Sequence, residues 1–146
     1  LTMAPIICFE DSFPHGVREH VLPKTGLIVN LTNDGWFGKG PAQWQHAANA
    51  VFRTIENGVP MVRSCNNGLS CWIDSFGQVR RFFGEESGDI YGAGFVIFEI
   101  PILQSRNSTF YNKYGDIFGW FCLGLSLVVV LTSFVKRRLH KEVEIR

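Results

Sequence analysis

At 146 residues, 46% of them hydrophobic, the chain can bury the core of one domain and is too short for two ordinary ones. Fourteen basic and thirteen acidic residues nearly cancel, which argues against a nucleic-acid binder and against an acidic solvating tail. Four cysteines, at 8, 65, 71 and 122, are too few and too scattered for a disulfide scaffold.

The first apolar run, "PIICF" at 5–9, reads as an internal strand. A chain that opens at Leu1 so close to such a strand reads as a fragment whose N-terminal part is absent. A short helix is expected from Pro14 to His20, then a strand over 27–32 ("LIVNLT"). "NDGWFGKG" (33–40) is a Gly-rich loop with two aromatic residues, Trp36 and Phe37, and with Asp34 placed to cap the following turn. Trp44, Ala47, Ala48, Val51, Phe52 and Ile55 then recur at helical spacing, punctuated by Pro41 at the start and Gly58 just past the end. Strand patterns follow at 59–64, 69–74, 78–83 and 93–100, with "DSFGQ" (74–78) as a hairpin turn and the Gly-rich acidic stretch 85–94 as a loop. Strand, helix, strand, helix, strand and then hairpin strands describe an α/β layered domain.

On a strand, Cys8 and Glu10 share one face while Phe9 points the other way. A thiol and a carboxylate at a strand end, before a Pro-containing turn, stand where α/β sheets place their chemistry. The alternative is a buried core cysteine. A carboxylate alone raises a neighbouring thiol above its usual pKa of about 8.5, so a reactive Cys8 needs a cationic group or a base nearby. No obvious one stands out in the sequence. His46 has no second ligand at a useful helical spacing and no close Cys pair exists, so neither zinc nor another cofactor is expected. Cys65 and Cys71 flank the turn-like "NNGL" and could approach across a hairpin, although a disulfide there demands matched register. Arg53 and Glu56 stand at i, i+3 and can pair on the helix surface.

From Ile117 to Val135 runs an uncharged apolar stretch, with Trp120 near one end and "KRR" at 136–138 following the other. Nineteen helical residues rise roughly 28 Å, close to the hydrocarbon thickness of a bilayer. This reads as a transmembrane helix rather than a buried core helix, and the positive-inside rule makes the tail 136–146 cytoplasmic. Cys122 within the span reads as inert, and His140 as part of a solvated basic tail.

The ordered set "CFED.FP", "LTNDGWFG", "WQH", "R..EN..P.VR..NNG.S" and a "D..G" hairpin, over residues 5 to 80, closely resembles the apolipoprotein N-acyltransferase family, whose catalytic domain is of the carbon-nitrogen hydrolase type. "TFYNKYGD" and the terminal span extend the likeness to about residue 138. Soluble nitrilases and amidases share the Cys-x-Glu neighbourhood but do not end in a membrane helix.

The resemblance implies the C-terminal half of a nitrilase-like α-β-β-α sandwich (1–105), a linker (106–116), one membrane helix (117–135) and the tail. In the full protein it implies a multi-pass enzyme of the bacterial inner membrane with a periplasmic catalytic domain. Cys8 would be the nucleophile, taking an acyl group from a phospholipid as a thioester and passing it to the N-terminal diacylglyceryl-cysteine of a lipoprotein. The backbone N–H of Phe9 would hold the oxyanion, Glu10 would orient or tune the site, and Trp36 and Phe37 would line a lipid-facing entrance. Arg53, Glu56, Arg63 and Asn66 would shape the fold beneath it. Where that family more usually has Tyr between Cys and Glu, this chain has Phe9. The family's Glu base and Lys lie upstream of the nucleophile and have no counterpart in this sequence, so the chain alone is expected to be catalytically incomplete. Two other readings are a membrane-anchored amidase or nitrilase and a non-catalytic membrane-tethered module.

Overall fold

The computed structural model describes residues 1–102 and 107–144. It divides into two compact units, Leu1–Lys113 and Tyr114–Arg146.

The first unit is built on a five-stranded sheet in the order β1 (Thr2–Ile7), β2 (Thr25–Asn33), β3 (Met61–Asn66), β4 (Cys71–Ile73), β5 (Val79–Phe82). β1, β2 and β3 are parallel and are joined by crossovers carrying α1 (Pro14–His20) and α2 (Ala42–Asn57). β4 and β5 are antiparallel and reached by tight turns. The predicted α/β order therefore holds, as do α1 and the hairpin at 74–78, where Asp74 accepts the backbone N–H groups of Phe76 and Gln78 and pairs with Arg80.

One sheet face carries the core. Ala4 and Ile6 of β1, Ile28 of β2, Met61 of β3 and Cys71 and Ile73 of β4 pack against Val17 of α1 and Ala47 and Ala50 of α2. On the other face Met3, Ile7 and Leu31 stay exposed.

α2 starts after Pro41 and stops at Gly58, which takes the left-handed conformation (φ 63°, ψ 32°) and returns its N–H to Thr54 O at 2.8 Å. Its orientation differs from the apolar repeat. The buried face is Gln43, His46, Ala47, Ala50, Arg53, Thr54 and Asn57, while Trp44, Phe52 and Ile55 face outward. Burying the polar face succeeds because its partners on the sheet are also polar, Asn30 and Arg63 among them.

The run 93–100 is not a strand: Phe95 and Ile97 are exposed, and none of β1 to β5 pairs with it. Alternation makes a strand only where a neighbour supplies the ladder. Residues 103–106, which include the first residue of the predicted linker 106–116, lie outside the described residues. Past them the chain forms α3 (Phe110–Tyr114), and Thr109 and Asn112 bond within the first unit. Thr109 Oγ1 donates to Glu56 O, and Asn112 Nδ2 donates to Asn57 Oδ1 (2.9 Å) and Val21 O (3.3 Å).

The second unit is dominated by α4 (Ile117–Glu144), whose stretch Ile117–Phe134 is long and apolar enough to cross a membrane, with none of it buried within the protein. The backbone stays helical through the basic segment; the side chains of Val135 and of 137–144, His140 included, and residues 145–146 lie outside the described part.

Candidate active site

The parallel strands β1, β2 and β3 end side by side, and the C-terminal edge they form carries Cys8, Asn33 with Asp34, and Asn66. β1 stops at Ile7, two residues earlier than its apolar pattern suggests, and Cys8 opens a 3-10 turn, Cys8–Ser12. Cys8 sits at φ 50°, a conformation that L-residues other than Asn and Asp rarely adopt. The chain thus bends sharply at the thiol, and Cys8 and Glu10 are not residues of one strand sharing a face. Glu10 turns back instead, its Oε2 accepting the Ile7 N–H at 2.6 Å, so that it caps the turn bearing the thiol.

Beneath the elbow lies a buried charge cluster that the sequence did not announce. His46 of α2 reaches Asp11 Oδ1 with Nε2 (3.0 Å) and Asp34 Oδ1 with Nδ1 (2.7 Å). Arg63 of β3, 0% exposed, forks to Asp11 Oδ2 and to Asp34 Oδ2 (3.1 Å). Asn30 Nδ2 adds a bond to Asp11 Oδ2 (2.8 Å) and a longer one to Cys8 O (3.4 Å). Arg53 donates from Nη1 to Asp11 O (3.0 Å) and from Nη2 to Glu56 Oε1 (2.6 Å), so the Arg53–Glu56 pair braces the turn rather than decorating the helix surface. Asp11, the centre of this arrangement, has no near neighbour in sequence that reveals it: its partners lie 19, 35, 42 and 52 residues away.

The electrostatics follow from the pairing. Hydrogen bonds to Asp11 and Asp34 push His46 up to about 9 against the cost of burial, so the ring is a cation at neutral pH and donates from both nitrogens. Its approach to Arg63 Nη2 (2.9 Å) is then a contact of two cations across a shared carboxylate. Burial raises Asp34, but the His46 hydrogen bond and the Arg63 charge outweigh it and bring the group down to about 2. Asp11 and Asp34 against His46 and Arg63 make two negative and two positive charges, a quartet that balances only while His46 is protonated.

Above it, hydrogen bonding from Thr32, then from the backbone of Asn33 and Phe9, holds the Cys8 thiol below its ordinary value despite partial burial, with His46 adding a favourable charge. Donors at the strand edge, with a smaller help from the buried imidazolium, thus favour the Cys8 thiolate. Cys65 and Cys71 are different thiols, both pushed up to about 12 chiefly by burial, with Asp34 opposing ionisation of Cys65 as well. All four cysteines are free, and the residue opposite Cys71 across the β3–β4 ladder is Arg63, not Cys65.

The two Asn-rich motifs staple the strand ends. Asn33 Oδ1 accepts from Gly35 N and from Asn66 Nδ2, both at 3.1 Å, and Asp34 N donates to Asn66 O at 2.9 Å. The turn after Asp34 is therefore capped by Asn33, because the Asp34 carboxylate is taken up by His46, Arg63 and Thr32. Gly68 of "NNG" is required by close approach: a Cβ there would stand 2.6 Å from Cys65 Sγ and 2.8 Å from Asp34 Cβ.

Phe9 packs edge-on to Phe13 (centroids 6.0 Å) and over His46 (5.6 Å), and Phe37 lies edge-on to the same imidazole (6.0 Å). Trp36 is 83% exposed. Among the described residues no group of three or more His, Cys, Asp and Glu is placed to hold a metal ion.

Carbon-nitrogen hydrolase is the family whose profile matches, over residues 2–99. The apolipoprotein N-acyltransferase of Agrobacterium fabrum is 44% identical over 140 residues, and that of Geobacter metallireducens 36% over 140; each alignment covers 94% of this chain and 25% of the relative. A carbon-nitrogen hydrolase structure from Helicobacter pylori G27 aligns with 56% of this chain and 36% of its own at 13% identity and a TM-score of 0.48. The chain spans about a quarter of the length of the curated relatives it matches. With a profile match across most of its first unit, the chain belongs to the carbon-nitrogen hydrolase family and is a homologue of the apolipoprotein N-acyltransferases.

Proposed function

We propose that Cys8 is the nucleophile of a membrane-anchored acyltransferase that moves a phospholipid acyl chain onto the N-terminal diacylglyceryl-cysteine of a lipoprotein. The observation that carries the reading is the elbow: a thiol at φ 50° on the C-terminal edge of parallel strands, held below its ordinary pKa, in a homologue of enzymes with that name. In the first half-reaction Sγ attacks the ester carbonyl. The C–O bond breaks, lysophospholipid leaves as the alcohol once protonated, and a thioester remains. In the second, the α-amine of the lipoprotein attacks the thioester carbonyl, the C–S bond breaks, the amine gives up a proton and the thiolate returns.

The N–H of Phe9, adjacent to the nucleophile, serves the tetrahedral oxyanion. Glu10 positions the turn through Ile7 rather than touching the thiol. Trp36 and Phe37 border the entrance for lipid, Trp36 as the exposed member. Residues 1–105 form the catalytic part, 106–116 the linker, 117–135 the span and 136–146 the cytoplasmic end; the site is periplasmic, and no cofactor enters the proposed steps.

Incubating the full-length protein with phospholipid should add one acyl mass to the peptide containing Cys8, and Cys8→Ser should abolish it. An adduct that persists in Cys8→Ser, or none on the wild type, sinks the proposal. The hydrolase character of the family profile favours one second reading, transfer to water. Ammonia released from small amides without acylation of a lipopeptide amine would select it.

A further inference from the structure

A threonine hydroxyl has one proton to donate. Thr32 directs its own toward Asp34 Oδ1, 3.1 Å away. Parallel register pairs Ile7 with Leu31 as the last rung between β1 and β2, so Cys8 and Thr32 each follow that rung on neighbouring chains. Both line a single cavity of about 530 Å³ with Asn33 and Cys65. Thr32 therefore borders the cavity that Cys8 also lines, while its Oγ1 donates to the Asp34 carboxylate. Asp34 has stronger donors than this hydroxyl, receiving His46 Nδ1 at 2.7 Å and Arg63 Nη2 at 3.1 Å, both cationic. Losing the Thr32 hydrogen bond leaves Asp34 with its charge still matched.

We propose that Thr32 is a hydroxyl switch that positions and stabilises the Cys8 thiolate. With Cys8 protonated, its S–H donates to Oγ1 and Oγ1–H donates to Asp34. When the thiol proton leaves to a base or to solvent, Oγ1–H turns from Asp34 to the sulfur. Thr32 gains and loses no proton in the cycle; it redirects the one it has. The quartet's part is to saturate Asp34 so that the hydroxyl is released at little cost.

The other charged or titratable groups around Cys8 fit this role. Glu10 on the same turn is committed to the Ile7 N–H. Asp11 is matched by His46 and Arg63, from α2 and β3. Cys65 of β3 stays protonated, being pushed up to about 12. Thr32 itself, with the backbone of Asn33 and Phe9, is what holds the thiol low.

The inference rests on Cys8 being the nucleophile, and its test separates the two. The whole chain in detergent micelles is alkylated with iodoacetamide between pH 5 and 8.5, and modification of the Cys8 peptide is followed by mass spectrometry. The wild type should show a midpoint below that of an ordinary thiol. Thr32→Val should raise the midpoint by about one unit, slowing alkylation at pH 7 roughly tenfold. Thr32→Ser, which keeps the hydroxyl and drops the methyl, should restore it. Thr32→Ala carries the same comparison if the valine variant does not fold. A low wild-type midpoint that Val and Ala leave unchanged overturns the switch alone, as does a serine variant shifted like valine. An ordinary midpoint in the wild type overturns the nucleophile reading with it.

Discussion

Replacing Arg63 by methionine is expected to lower the stability of the first unit by about 3–5 kcal/mol, the usual range for stripping one partner from a buried ion pair. Arg63 is 0% exposed and bridges Asp11 to Asp34. Its removal leaves two buried carboxylates facing a single imidazolium. Whole domains are stable by only about 5–15 kcal/mol, so the loss should shift a urea midpoint by about 2 M. Arg63→Lys keeps the charge but not the fork, since one ammonium cannot bind two carboxylates bidentately, and should fall between methionine and the wild type. A methionine variant with the wild-type midpoint would show that the quartet does not hold the strands and α2 together.

Alkaline pH should produce the second large effect. His46 is raised from 6.5 to about 9 on folding, so its contribution is complete below about 6.5 and is lost as pH rises through about 9. The shift corresponds to roughly 3 kcal/mol at 1.36 kcal/mol per unit. Asp34 behaves in the opposite sense: brought down from 3.8 to about 2, it contributes above about 3.8 and ceases to as pH falls through about 2. The Cys8 thiol, lowered on folding, adds stability as pH rises, so the alkaline measurement belongs in a Cys8→Ser background. Urea midpoints there should decline from pH 6.5 to 8, below the range in which Cys65 and Cys71, both raised on folding, add the same trend. A His46→Gln variant should remove the slope over that window. A flat profile in the Cys8→Ser protein would mean that His46 is not a buried cation.

Much of the fold could be read from the residues because it depends on local rules. Pro41 and Gly58 bracket α2, β-branched runs mark β1 to β3, and an uncharged stretch long enough for a bilayer needs only counting. The cysteine was conspicuous for its company, but the elbow was not. A residue at positive φ leaves no trace when it is neither Gly nor Asn, so an apolar run ending in Cys reads as more strand.

The quartet was hidden for another reason. Asp11, Asp34, His46 and Arg63 are brought together by strand register and by the face α2 presents, and neither is a property of one window of sequence. His46 looks isolated in the sequence only when weighed as a metal ligand. A signal did exist: Gln43, His46, Ala50, Arg53 and Asn57 repeat at helical spacing as faithfully as the apolar stripe, and the domain buries that face.

The backbone at Cys8 carries a final consequence. At φ 50° an L side chain crowds its own following carbonyl, at roughly 1–2 kcal/mol, whereas glycine does not. A glycine at this position would give a sturdier protein without the proposed nucleophile. Endurance and reactivity therefore pull residue 8 in opposite directions, and any redesign of this chain for heat tolerance should leave that one site strained.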